Sequence, residues 1–190
     1  MAICLTKGAN VSLSKEVPSL KKIIIGCGWD ASSFGKNIDV DVSVILCGQN
    51  DKVLSDDSFI YFNNKVSKDG AVVHNGDSLT GEGVGDDETI DINLITISKE
   101  IVKITVIVTI YDAKNRDQNF GGINNSYIRI INGDDKKEIT RYDLTEDFGT
   151  ETSVIFGEVY LNNGDWKFKA VGKGSASGLS EIAASYGVNV

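Results

Sequence analysis

Short stretches in which apolar and polar residues alternate recur along the chain. The clearest lies in residues 38–46, where valines form one face and Asp39, Asp41 and Ser43 form the other. Because side chains alternate across a strand, this pattern predicts a strand with one face in the core and two carboxylates on the other face. Residues 20–29 and 101–111 are rich in isoleucine and valine, which is typical of central strands.

Turn-forming residues separate these runs from further short β-like stretches. Further strands are predicted in residues 10–13, 58–62, 71–74, 89–94, 126–131, 138–143, 152–161 and 165–171. Only residues 177–186 have a helical pattern, with Ser177 as the expected N-cap and Gly187 as the stop. The sequence therefore predicts an all-β fold, an antiparallel two-sheet β-sandwich with a short C-terminal helix. The 190 residues fit a single domain.

The net charge of −8 is concentrated in one part of the chain. Seven of the 27 acids, but none of the 19 Lys and Arg residues, lie in residues 69–98. The seven are Asp69, Asp77, Glu82, Asp86, Asp87, Glu88 and Asp91. The rest of the chain is nearly neutral, so no basic face for nucleic acid is expected.

Residues 77–88, which we call the acidic segment, interleave acids with glycines. Calcium takes six to eight oxygen ligands, and glycines let a backbone bend so that carboxylates and carbonyls converge. Close carboxylates also repel one another, which a bound cation offsets. The pattern favours a hard divalent cation, and Asp39 with Asp41 would add carboxylates if their strand ends beside this segment. Asn63 and Asn64 could contribute oxygens or could form an ordinary turn after a strand.

Other interpretations of the acidic segment are weaker, although two stay open. Leu79 and Gly81 occupy ligand positions of an EF-hand loop and Glu82 replaces its glycine, so the segment is not an EF-hand. A solvated acidic loop with no ion remains open. A metal-dependent hydrolase using the same acids is the alternative function. We expect no enzyme, because one histidine and scattered cysteines give no nucleophile with a base.

The cysteines and the N-terminus bear on the expected compartment. Cys4, Cys27 and Cys47 are an odd number, and the latter two lie in apolar runs, which predicts a reducing cytoplasm. No signal-like N-terminus and no segment of membrane-spanning length is expected. His74 follows two valines and is interpreted as a structural strand residue.

Several motifs in this order and spacing are highly specific. They are DVD at 39–41, YFNN at 61–64, GDSLTGEGVGDDE at 76–88, QNFG at 118–121, RYDL at 141–144, FGEVY at 156–160 and DWKFKAVG at 165–172. With them the chain resembles the TerD family of tellurite-resistance and general stress proteins over essentially its whole length.

The resemblance implies a β-sandwich that binds calcium at two adjacent sites in the cytoplasm. It also implies a role in resistance to tellurium oxyanions and other stresses, beside partner proteins of the same system that are often membrane-associated. No enzymatic activity is implied. The ligands implied by position are Asp39, Asp41, Asn63, Asn64, Asp77, Glu82, Asp86, Asp87 and Glu88, with carbonyls such as those of Gly81 and Gly83.

Overall fold

A computed structural model describes residues 2–30, 38–76, 85–144 and 148–189, in which two six-stranded sheets are formed. Sheet A contains, in spatial order, β1 (Ile3–Leu5), β10 (Glu138–Asp143), β9 (Asn124–Asn132), β3 (Lys22–Asp30), β7 (Glu88–Asn93) and β6 (Val72–His74). Sheet B contains β2 (Asn10–Ser12), β12 (Asp165–Ser175), β11 (Ser153–Asn162), β8 (Lys103–Ile110), β4 (Val40–Cys47) and β5 (Phe59–Ile60). The predicted two-sheet β fold is confirmed.

The core lies between the two sheets, where alternate residues of each strand face inward. Ile23 and Ile25 of β3 share a fully buried cluster with Val42 of β4 and Val106 of β8. Burial of such side chains contributes roughly 1.5–3 kcal/mol each. The alternation in the sequence therefore sets which face of each strand packs.

One pairing departs from the predicted antiparallel arrangement. Strand β1 was not predicted, and it pairs in parallel with β10, so sheet A is mixed. Its three residues are too few for a recognisable alternation. The Thr140 hydroxyl donates a hydrogen bond of 2.7 Å to the Ile3 carbonyl and helps to hold this short strand in place.

The C-terminal helix is confirmed as α3 (Leu179–Ser185), and it packs on the outer face of sheet B. Gly187 ends it with φ +91, as expected, but the helix begins after Gly178 without a side-chain cap, so the predicted Ser177 cap is wrong. Two further one-turn helices, α1 (Leu13–Glu16) and α2 (Ala113–Arg116), were not predicted. Within the described part of the chain no helix has the length and apolar character needed to span a membrane.

Strand β4 is buried on both faces, because α3 and α2 lie near its outer side. Every residue of β4 is buried, and the predicted polar face is not solvated: Asp41 is 5% exposed and Asp39 8%. The sequence pattern identified the two faces correctly but did not indicate that the polar face is covered.

Strand β4 extends beyond its edge neighbour. Strand β5 pairs with β4 only at Val44 and Ile45, so the Val42 backbone lies past the end of that pairing. Two side chains of sheet A take the place of a strand there. The Glu88 carboxylate accepts a hydrogen bond of 2.7 Å from the Val42 N–H, and His74 Nε2 lies 3.1 Å from the Val42 carbonyl. These contacts join the two sheets at this edge.

The contacts of His74 assign its tautomer. A carbonyl oxygen accepts hydrogen bonds, so Nε2 carries the proton that is donated to Val42. Nδ1 accepts a hydrogen bond of 3.3 Å from the Gly76 N–H. His74 is 3% exposed, which agrees with its interpretation as a structural strand residue.

The contact between Glu88 and Val42 yields a measurable expectation. In a calcium-free buffer, Glu88→Ala leaves the buried Val42 N–H without its acceptor, a cost of about 1–3 kcal/mol. We expect amide hydrogen exchange at Val42 to accelerate by about 10- to 100-fold. Glu158→Ala is the matched control, since Glu158 lies on β11 and contacts Lys103. Unchanged exchange at Val42 in Glu88→Ala would contradict the assigned contact.

Candidate metal centre

Asp39 and Asp41 lie on the outer side of sheet B, beside α2. The Arg116 guanidinium of α2 is 3.5 Å from Asp39 Oδ2, and it also stacks on the Tyr111 ring at 5.0 Å. Asp41 lines a cavity of about 780 Å³ between α2 and α3, together with Phe62 and Thr109. Asp41 of β4 and Asp39, which directly precedes this strand, therefore lie on the same side of the sandwich.

The three consecutive acids that end the acidic segment project in different directions. Asp86 lies on the outer face of sheet A, over Gly26 of β3. Asp87 Oδ2 accepts a hydrogen bond of 3.0 Å from the Trp29 N–H. Glu88 points between the sheets to Val42 and is 2% exposed.

Asp87 lies where negative charge is disfavoured. Burial raises the pKa of its carboxyl above the usual value, and the neighbouring carboxylates of Asp30 and Asp86 act in the same direction. The Trp29 N–H opposes this effect by stabilising the ionised form. A cation beside Asp87 would stabilise the carboxylate further.

Asp86 is held by a polar cluster that the sequence reasoning missed. Arg129 of β9 binds it in a bidentate manner, with Nε 2.8 Å from Oδ1 and Nη2 3.1 Å from Oδ2. The Tyr127 hydroxyl lies 3.1 Å from Asp86 Oδ1 and 2.8 Å from the Gly85 carbonyl. Burial, and then the Asp86 carboxylate, raises the pKa of Tyr127 to about 12.

Asn63 and Asn64 lie in a tight turn that follows β5. The Tyr61 and Asn64 backbones exchange hydrogen bonds of 3.1 and 3.0 Å, and the Asn64 amide donates to the Phe59 carbonyl at 2.7 Å. The adjacent Phe62 lines the same cavity as Asp41. The turn that was expected as one alternative is present, and a ligand role for either asparagine stays a prediction.

Four predicted ligands, Asp77, Gly81, Glu82 and Gly83, lie outside the described residues. Within residues 2–30, 38–76, 85–144 and 148–189, no three His, Cys, Asp or Glu side chains form a metal-binding group. The donor chemistry of the described candidates still suits a hard cation, because Asp39, Asp41, Asp87 and Glu88 all offer carboxylate oxygens. A calcium site at this place therefore depends on the acidic segment for completion.

The cysteines do not add a soft site to this centre. All three thiols are free, and Cys27 and Cys47 are buried in the core. Burial raises the pKa of both, that of Cys47 to about 11, so the reactive thiolate is disfavoured.

Comparisons with known proteins agree with this architecture. Residues 1–186 match the model of the TerD domain. The tellurium resistance protein TerD of Serratia marcescens is 50% identical over 190 residues, which cover 100% of this chain and 99% of that protein. General stress protein 16U of Bacillus subtilis (strain 168) is 45% identical over 192 residues and covers both chains fully.

A solved structure shares the fold. A homologue of telluride resistance protein (TerD) from Streptomyces coelicolor A3(2) superposes with a TM-score of 0.71 at 22% identity, over 87% of this chain and 96% of that one. With the domain match and the full-length relatives, these findings agree with the motifs of the sequence. The chain belongs to the TerD family.

Proposed function

We propose that this chain is a calcium-binding stress-response protein that contributes to tellurite resistance as a calcium-dependent binding module. The supporting observation is the position of β4. Its Val42 backbone is hydrogen-bonded to the side chains of His74 and Glu88. In the sequence these two residues precede and follow residues 77–84. The same strand carries Asp41, and Asp39 directly precedes it. Both flanks of residues 77–84 therefore contact the strand at whose start the buried pair of Asp39 and Asp41 lies.

The residues that would hold two calcium ions come from three parts of the chain. They are Asp39, Asp41, Asp87 and Glu88, with Asn63, Asn64, Asp77, Glu82 and the carbonyls of Gly81 and Gly83. The family resemblance also implies Asp86, whose carboxylate is bound by Arg129. When bound, calcium supplies positive charge among these oxygens and stabilises the folded chain.

The electrostatics of the carboxylate pair give a reason for a cation. Asp39 and Asp41 are two residues apart at the start of β4, where the extended chain places their Cα atoms roughly 7 Å apart. At that separation two like charges repel by about 2 kcal/mol at an effective dielectric constant of 20. Arg116 lies 3.5 Å from Asp39 and offsets part of this cost, and a divalent cation between the carboxylates would offset more.

Names of relatives support the cellular role. Relatives that cover the whole chain are named for tellurium resistance and for general stress. We propose the same role here, with other proteins of a tellurite-resistance or stress system, some membrane-associated, as partners. The free thiols fit the cytoplasm, which we propose as the compartment.

Calcium titration tests the proposed site. Calcium that binds only the folded form raises the melting temperature. At a free calcium concentration of about 100 times Kd, it adds about 2.7 kcal/mol to the free energy of unfolding. Asp41→Asn removes a buried charged ligand, so we expect calcium affinity measured by calorimetry to fall on the order of tenfold or more.

The matched control for this titration is Asp51→Asn. Asp51 follows the other end of β4, its side chain is 68% exposed, and asparagine tolerates its φ of +60. Its calcium affinity is expected to equal that of the wild type. The proposal fails if the wild-type melting curve is the same in calcium and in chelator, or if Asp41→Asn binds calcium normally.

The binding-module part has its own test. Immobilised wild-type chain is expected to retain a specific protein of the stressed cell in calcium and to release it in chelator. Asp41→Asn is expected to retain none in either buffer, because the surface depends on the bound ion. Retention that is equal in both buffers would remove calcium dependence from the proposal.

A further inference from the structure

The outer face of sheet A carries a polar cluster centred on Asp86, which we call the Arg129 cluster (Asp86, Tyr127, Arg129 and Glu138). Arg129 makes two parallel hydrogen bonds to Asp86 and a third of 3.1 Å to Glu138. Bidentate guanidinium–carboxylate pairs are the stronger and more directional ion pairs in proteins. The hydrogen bond to Asp86 is the main cause that raises the Arg129 pKa.

The backbone around Asp86 is shaped for this cluster. A Cβ at Gly26 would lie within 2.6 Å of three Asp86 carboxylate atoms, and a Cβ at Gly28 would lie 2.5 Å from the Tyr127 ring. Both glycines are on β3, opposite Arg129 and Tyr127 of β9. The missing side chains leave room for the carboxylate and the phenol to lie flat on the sheet.

The cluster fixes the chain where the acidic segment enters β7. The Tyr127 hydroxyl donates to the Gly85 carbonyl at 2.8 Å, and the Asp87 N–H donates to the Cys27 carbonyl at 2.8 Å. Gly85 has φ +113, a conformation that favours glycine. The positions of Asp87 and Glu88 therefore follow from contacts made by Gly85, Asp86 and the Asp87 backbone.

Both Asp86 oxygens face the Arg129 guanidinium, which would repel a cation placed beside them. A calcium ion bound to Asp86 would compete with Arg129 for the same two oxygens and would lie close to its positive charge, and the Arg129 side chain is only 28% exposed. Losing one partner of a partly buried ion pair is costly. Asp87 and Glu88 are turned away from this guanidinium.

We propose that Asp86 is an anchor for residues 85–88 instead of a calcium ligand, and that Arg129 is the positioning residue that sets calcium affinity through it. This inference rests on the proposed calcium binding. It differs from the ligand set implied by family resemblance in one residue. The two roles of Asp86 predict opposite effects when Arg129 is removed.

The deciding experiment measures calcium affinity of Arg129→Gln by calorimetry. If Asp86 is an anchor, affinity falls by about fivefold or more, since the flank of the site is no longer held. If Asp86 is a ligand restrained by Arg129, affinity rises, because the carboxylate is released. A rise or an unchanged affinity overturns the proposal.

A double-mutant cycle separates anchoring from an independent effect of each residue. We expect Asp86→Asn and Arg129→Gln to lower affinity to a similar extent and the double variant to lower it no further. Additive losses overturn the shared anchor. Arg129→Lys keeps the positive charge but cannot make the two parallel hydrogen bonds to Asp86, so an intermediate loss of calcium affinity is expected. This variant replaces Arg129→Gln if the latter fails to fold.

Arg141→Gln is the matched control, because Arg141 lies on the same face, stacks on the Tyr127 ring at 3.6 Å and pairs with Asp143. Its calcium affinity is expected to stay within about twofold of wild type, well below the coupling expected for Arg129. A loss as large as that of Arg129→Gln would overturn the specific role of Arg129.

A readout without calcium distinguishes failure of this inference from failure of the proposed function. In chelator, Arg129→Gln is expected to accelerate hydrogen exchange of the Asp87 amide, while the Ile107 amide in sheet B stays unchanged. Unchanged exchange at Asp87 overturns the anchor even if calcium binds. Accelerated exchange in a chain that binds no calcium supports the anchor and removes the proposed calcium function.

Discussion

The gap beyond the end of β5 determines how the candidate centre is built. A buried strand edge with unpaired N–H and C=O groups is costly, and here the Val42 groups are paired by side chains of the opposite sheet. His74 and Glu88 therefore join the two sheets. Because His74 and Glu88 precede and follow residues 77–84 in the chain, this requirement places both flanks of those residues at β4, which carries Asp41 and directly follows Asp39.

Much of the fold could be predicted from local pattern. Strand β10 has the predicted bounds, and most other strands differ by a few residues, since period-two alternation is visible in the sequence itself. The elements that were not predicted have physical causes in common. Strand β1 and helices α1 and α2 are three or four residues long, which is too short for periodicity to be read. Asp41 is covered by α2 and α3, which are distant from it in the sequence.

For the site, the sequence identified the acids but not their partners. The excess of acids in one segment is a local property, whereas Arg129 is 43 residues from Asp86 and meets it through strand pairing. One local signal did exist. Gly26 and Gly28 occupy alternate positions of an otherwise Ile-rich strand, and glycine inside a strand often marks the close approach of another group. The sequence did not show which group approaches.

The divergence of Asp86, Asp87 and Glu88 has a consequence for chain length. Asp86 lies on the outer face of sheet A, Asp87 accepts a hydrogen bond from the Trp29 backbone, and Glu88 lies between the sheets. The buried Ile90 and Ile92 hold β7 in register with β3, so adding or removing one residue between Gly85 and β7 would displace Asp86 relative to the sheet. Glu88 and Ile90 would keep their places, and Asp86 would lose its contact with Arg129. The length of the chain between Gly85 and β7 is therefore constrained by contacts at both of its ends.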